Sequence, residues 1–313
     1  LAVNFFCYCK LYTVYCLLST VYCKRPDLSK LKHLHPAYWS VLILLLSQAV
    51  VFLVVPEVQT YLEETQIIVP EVSPVIPIVY FFVAVIVLGI VLFLIPVSRL
   101  KLAFKVLFSL LFVWGVFVNL TFYLPAVASA VIAFALTAVW FVKPRLWYHD
   151  LLLMFSLAAL GVVFGSMLSP LTSLILMGVL SLYDILAVRF GYMMWVAKKL
   201  SHLDTLPAFI IPKDSSGWNT DLKKVKLLDE ESSDRHFSLL GGGDIGFPLI
   251  LMAAVHGVFG LPEALIIAAC TLAGLLSVYA IQRLFFKGKA VAALPPITLA
   301  CLAGYLIITL ALP

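Results

Sequence analysis

Charge is scarce in this sequence. Asp, Glu, Lys and Arg make up 12% of its 313 residues, about half the share that a soluble domain carries. Hydrophobic residues make up 63%, and the mean hydropathy is +1.10. These values exclude an ordinary soluble globular domain and predict a polytopic membrane protein. The net charge of +5 does not indicate nucleic-acid binding, because the basic residues are spread among loops on one side of the membrane.

The sequence also lacks the motifs of several enzyme classes. It contains no His-Glu-x-x-His run, so a membrane zinc protease has no support. It contains no Gly-x-Ser-x-Gly, which marks many serine hydrolases. The six cysteines show no metal-ligand spacing beyond Cys7-x-Cys9, and Cys270 and Cys301 lie in apolar runs, where we interpret them as small packing residues. We therefore expect no metal, no cofactor and no disulfide framework.

Nine apolar runs are long enough, or nearly so, to cross a bilayer, which takes about 20 residues. They cover residues 36–56, 74–97, 102–119, 122–142, 150–168, 170–189, 239–259, 262–282 and 291–311. Prolines, which lack an N–H, mark many of the run ends: Pro36, Pro56, Pro144, Pro170 and Pro262. The predicted fold class is all-α, a bundle of nine transmembrane helices in one domain over residues 36–313.

Basic residues are absent from every second loop. Nineteen of the 21 Lys and Arg lie within residues 24–32, just before the first run, or in or beside the loops after the second, fourth, sixth and eighth runs; the other two are Lys10 and Arg189. The loop after the first run carries Glu57, Glu63, Glu64 and Glu71 instead. By the positive-inside rule, the N-terminal side is cytoplasmic and the C-terminus is outside. We expect a multi-pass protein of the cell membrane.

Two segments outside the nine runs leave alternatives open. Residues 1–23 are apolar and aromatic but have no basic start or small-residue cleavage site. A tenth span, an interfacial helix and an upstream extension are possible, and we favour the last two because a tenth span would place the N-terminus outside. The polar segment 198–238 contains an apolar patch, Leu206 to Pro212. Its charged part is expected to be a flexible cytoplasmic loop, and the patch either a lid or a partly buried anchor.

Only two acidic residues lie in the interiors of the apolar runs, Asp184 and Asp244, and they occupy consecutive runs. An ionisable side chain within a span costs several kcal/mol, so a functional site is the default interpretation. Two facing carboxylates cannot both ionise easily, and one keeps a proton, as in the acid/base pair of an aspartic protease. The alternative is a proton-coupled secondary transporter, which inverted repeats would favour; we see none. Either aspartate alone could also be a polar contact between helices.

Three glycines, Gly241, Gly242 and Gly243, come directly before Asp244. They allow close approach of another segment or conformations forbidden to other residues. Irregular backbone at membrane depth is tolerated where it is buried in protein or lines a wet cavity. The sequence therefore predicts a carboxylate beside a water-filled pocket.

These residues resemble a known family. Tyr183-Asp184 resembles the Tyr-Asp motif, and Gly241 to Asp244 the Gly-x-Gly-Asp motif, of presenilin-type and signal-peptide-peptidase-type intramembrane proteases. The family's third motif, Pro-Ala-Leu, is matched by Ala293 and Leu294 followed by Pro295, although Ala292 stands in place of its first proline. The order of the three motifs, in the sixth, seventh and ninth runs, makes the resemblance specific. The loop charges give the presenilin orientation, and the compact chain resembles a microbial, archaeal-type homologue.

The resemblance implies an intramembrane aspartic endopeptidase that cleaves transmembrane helical substrates within the lipid bilayer. Asp184 and Asp244 would act as general acid and base on a water, with the roles unassigned because the protons belong to the pair. The Pro-Ala-Leu region (Ala293, Leu294, Pro295) and the glycine loop would hold the extended substrate. Tyr183 would either orient Asp184 or pack the pocket.

Helix depth adds a further expectation. If the sixth span ends at Arg189, Asp184 and Asp244 both lie about 8 Å inside their spans at helical rise. The stretch from Phe190 to Trp195 is then expected at the interface, with a bend at Gly191. His149-Asp150 is expected to be an interfacial or capping pair. His256, about 18 Å along the helix from Asp244, is too far away to join the site, and Gly274 and Ser277 indicate close helix packing.

Overall fold

A computed structural model of the chain describes residues 35–67, 69, 72–200, 205–222, 236–286 and 291–311. The N-terminal residues 1–23, with their three interpretations, lie outside the described residues. So does most of the charged part of the polar segment, residues 223–235.

Within the described residues, nine apolar helices match the nine predicted runs, as expected for an all-α bundle. In chain order they are α1 (His35–Glu64), α2 (Val75–Leu94), α3 (Val97–Thr121), α4 (Ala126–Val142), α5 (Leu146–Met167), α6 (Pro170–Arg189), α8 (Gly242–Phe259), α9 (Leu261–Leu284) and α10 (Leu294–Ala311), with a short helix α7 (Tyr192–Leu200) after α6. Seven of the nine are long and apolar enough to cross a membrane, and α4 and α10 are shorter apolar helices.

The predicted helix end at Pro56 is wrong, because Pro56 lies inside α1, which continues to Glu64. A proline ring removes the hydrogen bond to the carbonyl four residues earlier, here that of Phe52. The Tyr123 hydroxyl donates to the neighbouring Leu53 carbonyl at 2.7 Å, so the disturbed turn gains a partner from outside the helix. A tertiary hydrogen bond thus lies beside the turn that the proline disturbs.

The break after the sixth span lies where helix depth predicted it. Helix α6 ends at Arg189, Gly191 has φ +73°, and α7 begins at Tyr192. This left-handed backbone conformation suits glycine, which has no Cβ to clash. The bend at Gly191 is therefore confirmed.

A two-stranded antiparallel sheet lies between α7 and α8. Strand β1 (Ala208–Pro212) pairs with β2 (Phe237–Gly241), with Ala208 opposite Gly241 and Pro212 opposite Phe237. The predicted start of the seventh span at residue 239 is wrong, because these residues pair with β1 and the helix begins only at Gly242. Phe209, Ile210 and Ile211 of β1 are 0%, 1% and 0% exposed. This burial favours the anchor interpretation of the apolar patch over the lid.

Small residues bring the central helices close together. A Cβ on Gly161 of α5 would lie 2.9 Å from the Leu249 Cβ of α8. A Cβ on Gly274 of α9 would lie 2.6 Å from the Ile297 Cα of α10, which confirms the close packing expected there. Cys301 is buried against α9, consistent with a packing role.

Candidate active site

Asp184 lies near the end of α6 and faces the beginning of α10. Its Oδ2 accepts a hydrogen bond from the backbone N–H of Leu294 at 3.4 Å. Leu294 is the first residue of α10, where backbone N–H groups have no partner within the helix. The carboxylate therefore provides an acceptor for one of these groups and links α6 to the Ala293-Leu294-Pro295 segment.

Asp244 is the third residue of α8 and turns back toward the strand before it. Its carboxylate accepts a hydrogen bond from the backbone of Gly241 and interacts electrostatically with Asp184. The structure thus brings together the two acidic residues that the sequence singled out, from two different helices.

The three glycines have different surroundings. A Cβ on Gly241 would lie 2.9 Å from the Asp244 Oδ2. Gly242 donates its N–H to the Pro207 carbonyl at 3.0 Å, and a Cβ there would lie 2.9 Å from that oxygen. Gly243 is exposed, with the Phe247 ring 3.2 Å from a Cβ position. Of the described glycines, only Gly191 and Gly260 have a positive φ, so close approach is what requires glycine at 241 and 242.

Tyr183 packs in an aromatic cluster beside Asp184. Its ring makes edge-to-face contacts with Phe81 and Phe82 of α2, with centroid distances of 5.7 and 5.8 Å. Phe81 also contacts Phe247 of α8, at 6.2 Å. These contacts favour the packing interpretation of Tyr183, because they join α2, α6 and α8 beside the aspartates.

The segment that matches the Pro-Ala-Leu motif is buried and holds the start of α10 against α6. Ala293 and Leu294 are both buried, and Pro295 follows in the first turn, where a missing N–H costs nothing. One turn further along α10, the Thr298 hydroxyl lies 2.6 Å from the Ser181 hydroxyl of α6, and the two share a buried hydrogen bond. The helix still begins at Leu294 although Ala292 replaces the first proline of the motif.

The interpretation of His149-Asp150 as an interfacial or capping pair is wrong. Helix α5 begins at Leu146, and the two side chains are 0% and 4% exposed. The Asp150 oxygens accept from the Ile210 N–H at 3.3 and 3.2 Å, and the His149 Nε2 lies 3.0 Å from the Leu206 carbonyl oxygen. Both partners belong to β1 or the residues just before it, about 60 positions along the chain, and the local sequence carries no sign of them.

Tyr279 of α9 is a second residue that sequence reasoning missed. Its hydroxyl is hydrogen-bonded to Ser40 of α1, and it interacts electrostatically with Asp244. His256 lies in the last turn of α8 and contacts the Phe52 ring, at the opposite end of the helix from Asp244, as expected. Among the described residues, no group of three or more His, Cys, Asp or Glu side chains could hold a metal ion.

The two edges of the β1–β2 sheet differ. Gly242 donates to Pro207 at one end, and Lys213 donates to His236 at 2.9 Å at the other. Because hydrogen-bonded pairs alternate in an antiparallel ladder, the register makes 209/240 and 211/238 the hydrogen-bonded pairs between them. The backbone groups of Ile210 therefore point away from β2, toward Asp150, and those of Leu239 point away from β1.

Comparison with known proteins identifies the family. A family model described as signal-peptide peptidase, presenilin aspartyl protease, matches residues 40–313. The chain belongs to this family. It is therefore an intramembrane aspartic endopeptidase and an integral, multi-pass membrane protein, and the transporter interpretation is set aside.

Solved structures agree with this assignment at the level of the fold. The protease resembles a presenilin family intramembrane aspartate protease in two crystal forms. The C222 form has a TM-score of 0.59 at 21% identity, covering 87% of this chain and 98% of that chain. The P2 form has a TM-score of 0.58 at 22% identity, covering 87% and 96%. No curated protein matches the sequence.

Proposed function

We propose that Asp184 and Asp244 are the catalytic pair of this protease and hydrolyse peptide bonds in transmembrane helical substrates. The observation that carries the proposal is that two aspartates from α6 and α8 lie close enough to interact electrostatically, inside a bundle of apolar helices. The cost of placing two acids there is hard to explain unless they act on a substrate.

The chemistry requires one carboxylate ionised and the other protonated. The ionised group takes a proton from water while the water oxygen bonds to the scissile carbonyl carbon. The protonated group donates its proton to the amide nitrogen as the C–N bond breaks, which leaves a new carboxyl and a new amino terminus. Since the two protons belong to the pair, neither role is assigned to one residue.

The substrate must be extended at the bond that is cut, because an α-helix ties up its carbonyls in hydrogen bonds. The outer edge of β2 is where an extended segment fits: the Leu239 backbone groups point away from β1, and Asp244 is bound to Gly241 at the end of the same strand. The outer edge of β1 is blocked at Ile210 by Asp150. We infer that the substrate adds a strand to β2, with main-chain hydrogen bonds supplying affinity.

The loop charges support an orientation with the N-terminal side and the segment between α7 and α8 in the cytoplasm. Asp184, near the end of α6, and Asp244, in the first turn of α8, flank that segment. The site therefore lies toward the cytoplasmic side of the membrane in this orientation.

Asparagine variants test the catalytic pair. Asp184→Asn and Asp244→Asn keep the side-chain size but cannot exchange the proton, so cleavage of a single-pass peptide in lipid nanodiscs should fall at least on the order of 10²-fold. The products are identified by mass, and cleavage in ¹⁸O-water should place one label in the new carboxyl group. Asp214→Asn, at an exposed aspartate between the two strands, is the matched control and should cleave normally. Substantial activity in either Asn variant of the pair would refute the proposal.

The strand-addition proposal has its own test. Leu239→Pro removes an N–H that points away from β1, so the β1–β2 ladder keeps its hydrogen bonds while a substrate strand loses one. We expect KM to rise in Leu239→Pro and to stay near the wild-type value in Leu239→Ala, which retains the N–H. Equal effects of the two substitutions would show that the side chain, and not the strand edge, contacts the substrate.

A further inference from the structure

We propose that His149 and Asp150 are positioning residues of the protease: they fix β1 against α5, and through β1 they fix the first turn of α8, which carries Asp244. The inference rests on the catalytic role proposed for Asp244. Neither residue contacts Asp184 or Asp244 in any hydrogen bond described above, so their effect on the reaction is indirect.

Asp150 holds the outer edge of β1. Both of its oxygens accept from the Ile210 N–H, at 3.3 and 3.2 Å, and this N–H points away from β2. The carboxylate thus occupies the place that a third strand would take beside β1. An N–H buried without an acceptor is destabilising, so the position of the strand depends on the position of this side chain.

His149 holds Leu206, which lies two residues before β1. A carbonyl oxygen can only accept, so the His149 Nε2 carries a proton and donates it to Leu206 at 3.0 Å. The imidazole is fixed by aromatic rings, with centroids 5.6 Å from Phe112, 5.9 Å from Trp140 and 6.2 Å from Phe108. A ring enclosed in this way has little freedom, so its hydrogen bond locates the Leu206 carbonyl closely.

The position of β1 is passed on to α8 by a hydrogen bond at Pro207, between Leu206, which His149 binds, and Ile210, which Asp150 binds. Pro207 follows Leu206, and its carbonyl accepts from Gly242 at 3.0 Å. The approach is tight, since a Cβ on Gly242 would lie 2.9 Å from that oxygen. Gly242 begins α8, two residues before Asp244. Helix α5 therefore fixes the first turn of α8 through β1, and Asp244 lies in that turn.

Packing alone does not account for the two polar side chains. Apolar side chains of similar volume would fill the same space but would leave the Ile210 N–H and the Leu206 carbonyl without these partners. An apolar pair would also suit a region already formed by Phe108, Phe112 and Trp140. What an apolar pair cannot do is bind two specific backbone groups of β1, and this is what His149 and Asp150 do.

Two variants of Asp150 separate positioning from bulk stability. Asp150→Asn keeps an acceptor for the Ile210 N–H, whereas Asp150→Leu keeps a similar volume and has none. Hydrogen exchange in nanodiscs should be faster at Ile210 and Gly242 in Asp150→Leu and close to the wild-type rate in Asp150→Asn. Cleavage of the single-pass peptide should show kcat lowered about 10- to 100-fold in Asp150→Leu, the cost of misplacing a reacting group by about 1 Å, and largely restored in Asp150→Asn.

Ser156→Ala is the matched control. Ser156 is buried on the same helix and bonds to Leu152 and to Leu111 of α3, not to β1. Its loss should lower the melting temperature without changing kcat or exchange at Ile210.

The inference requires that the hydrogen-exchange rate of the Ile210 N–H and kcat change together in each Asp150 variant. If either changes alone in a folded Asp150 variant, or if neither changes in folded Asp150→Leu, the inference is overturned. Should Asp150→Leu fail to fold, Asp150→Ala, which also lacks an acceptor for the Ile210 N–H, decides by the same criterion. Asp244→Asn is measured in parallel: activity in that variant would refute the catalytic pair, whereas the exchange rates at Ile210 and Gly242 do not depend on catalysis, so the two failures are distinguishable.

Discussion

Gly241 offers a way to move the Asp244 carboxylate without disturbing the fold. A Cβ placed on Gly241 would lie 2.9 Å from the Asp244 Oδ2, whereas ordinary carbon–oxygen contacts begin near 3.4 Å. Gly241→Ala therefore requires the carboxylate to shift by roughly 0.5 Å, about half the displacement of 1 Å that costs on the order of 10²-fold in rate. We expect kcat to fall about 10-fold.

The same substitution should leave stability almost unchanged. Gly241 has φ −59° and ψ 136°, values that alanine adopts without strain, and the atom that must move is the end of a side chain. Gly178→Ala is the control: Gly178 lies inside α6, nothing is within 4 Å of its Cβ position, and alanine is the better helix former by up to about 1 kcal/mol.

The assay pairs kcat for a single-pass peptide in nanodiscs with the melting temperature of each variant. Gly241→Ala should lose rate at constant melting temperature, and Gly178→Ala should keep its rate. Full activity in Gly241→Ala would refute the reasoning, because the carboxylate would then tolerate the displacement. A loss of rate accompanied by a large drop in melting temperature would also refute it, since the substitution would have disturbed the fold.

Three further predictions concern packing and orientation. Ser181→Ala and Thr298→Ala remove the two halves of one buried hydrogen bond, so a double-mutant cycle on thermal unfolding should give a coupling of about 0.6 kcal/mol, up to about 1.7; additive effects would show that the bond contributes nothing. Gly274→Ala places a Cβ 2.6 Å from the Ile297 Cα, a backbone atom that cannot turn aside, and overpacking should destabilise the protein by about 1–3 kcal/mol; an unchanged melting temperature would contradict the close approach of α9 and α10. In sealed vesicles, a cysteine between α7 and α8 should be labelled from the cytoplasmic side and one between α1 and α2 from the outside, and the reverse pattern would overturn the orientation.

The features that could be predicted from the sequence are those that depend on a large free-energy cost paid by the residue or run itself, wherever its partners lie. The helices follow from the length of the apolar runs, and Asp184 and Asp244 were found because an acid in a span is costly wherever its partners lie. The break at Gly191 followed from a requirement of depth: two acids that share a proton must lie at the same level.

The features that the sequence did not reveal depend on partners far along the chain. The pairing of β1 with β2 joins residues 208–212 to 237–241 across a charged segment, and no short pattern encodes it. His149 and Asp150 lie at the edge of an apolar run, where a polar pair is usually interfacial, and only the position of β1 gives them a buried role. The helix continues past Pro56, where Tyr123, from the loop between α3 and α4, donates a hydrogen bond to the nearby Leu53 carbonyl.

The beginnings of two helices converge on the two aspartates. Asp244 lies in the first turn of α8, and Asp184 accepts from the first N–H of α10. The amino end of a helix carries the equivalent of about half a positive charge, and a nearby anion gains roughly 0.3–1 kcal/mol from it, up to about 2 kcal/mol when partly buried. Two such ends together carry the equivalent of about one positive charge. The helix ends therefore favour negative charge at the two aspartates and would offset the single negative charge of a pair that shares one proton.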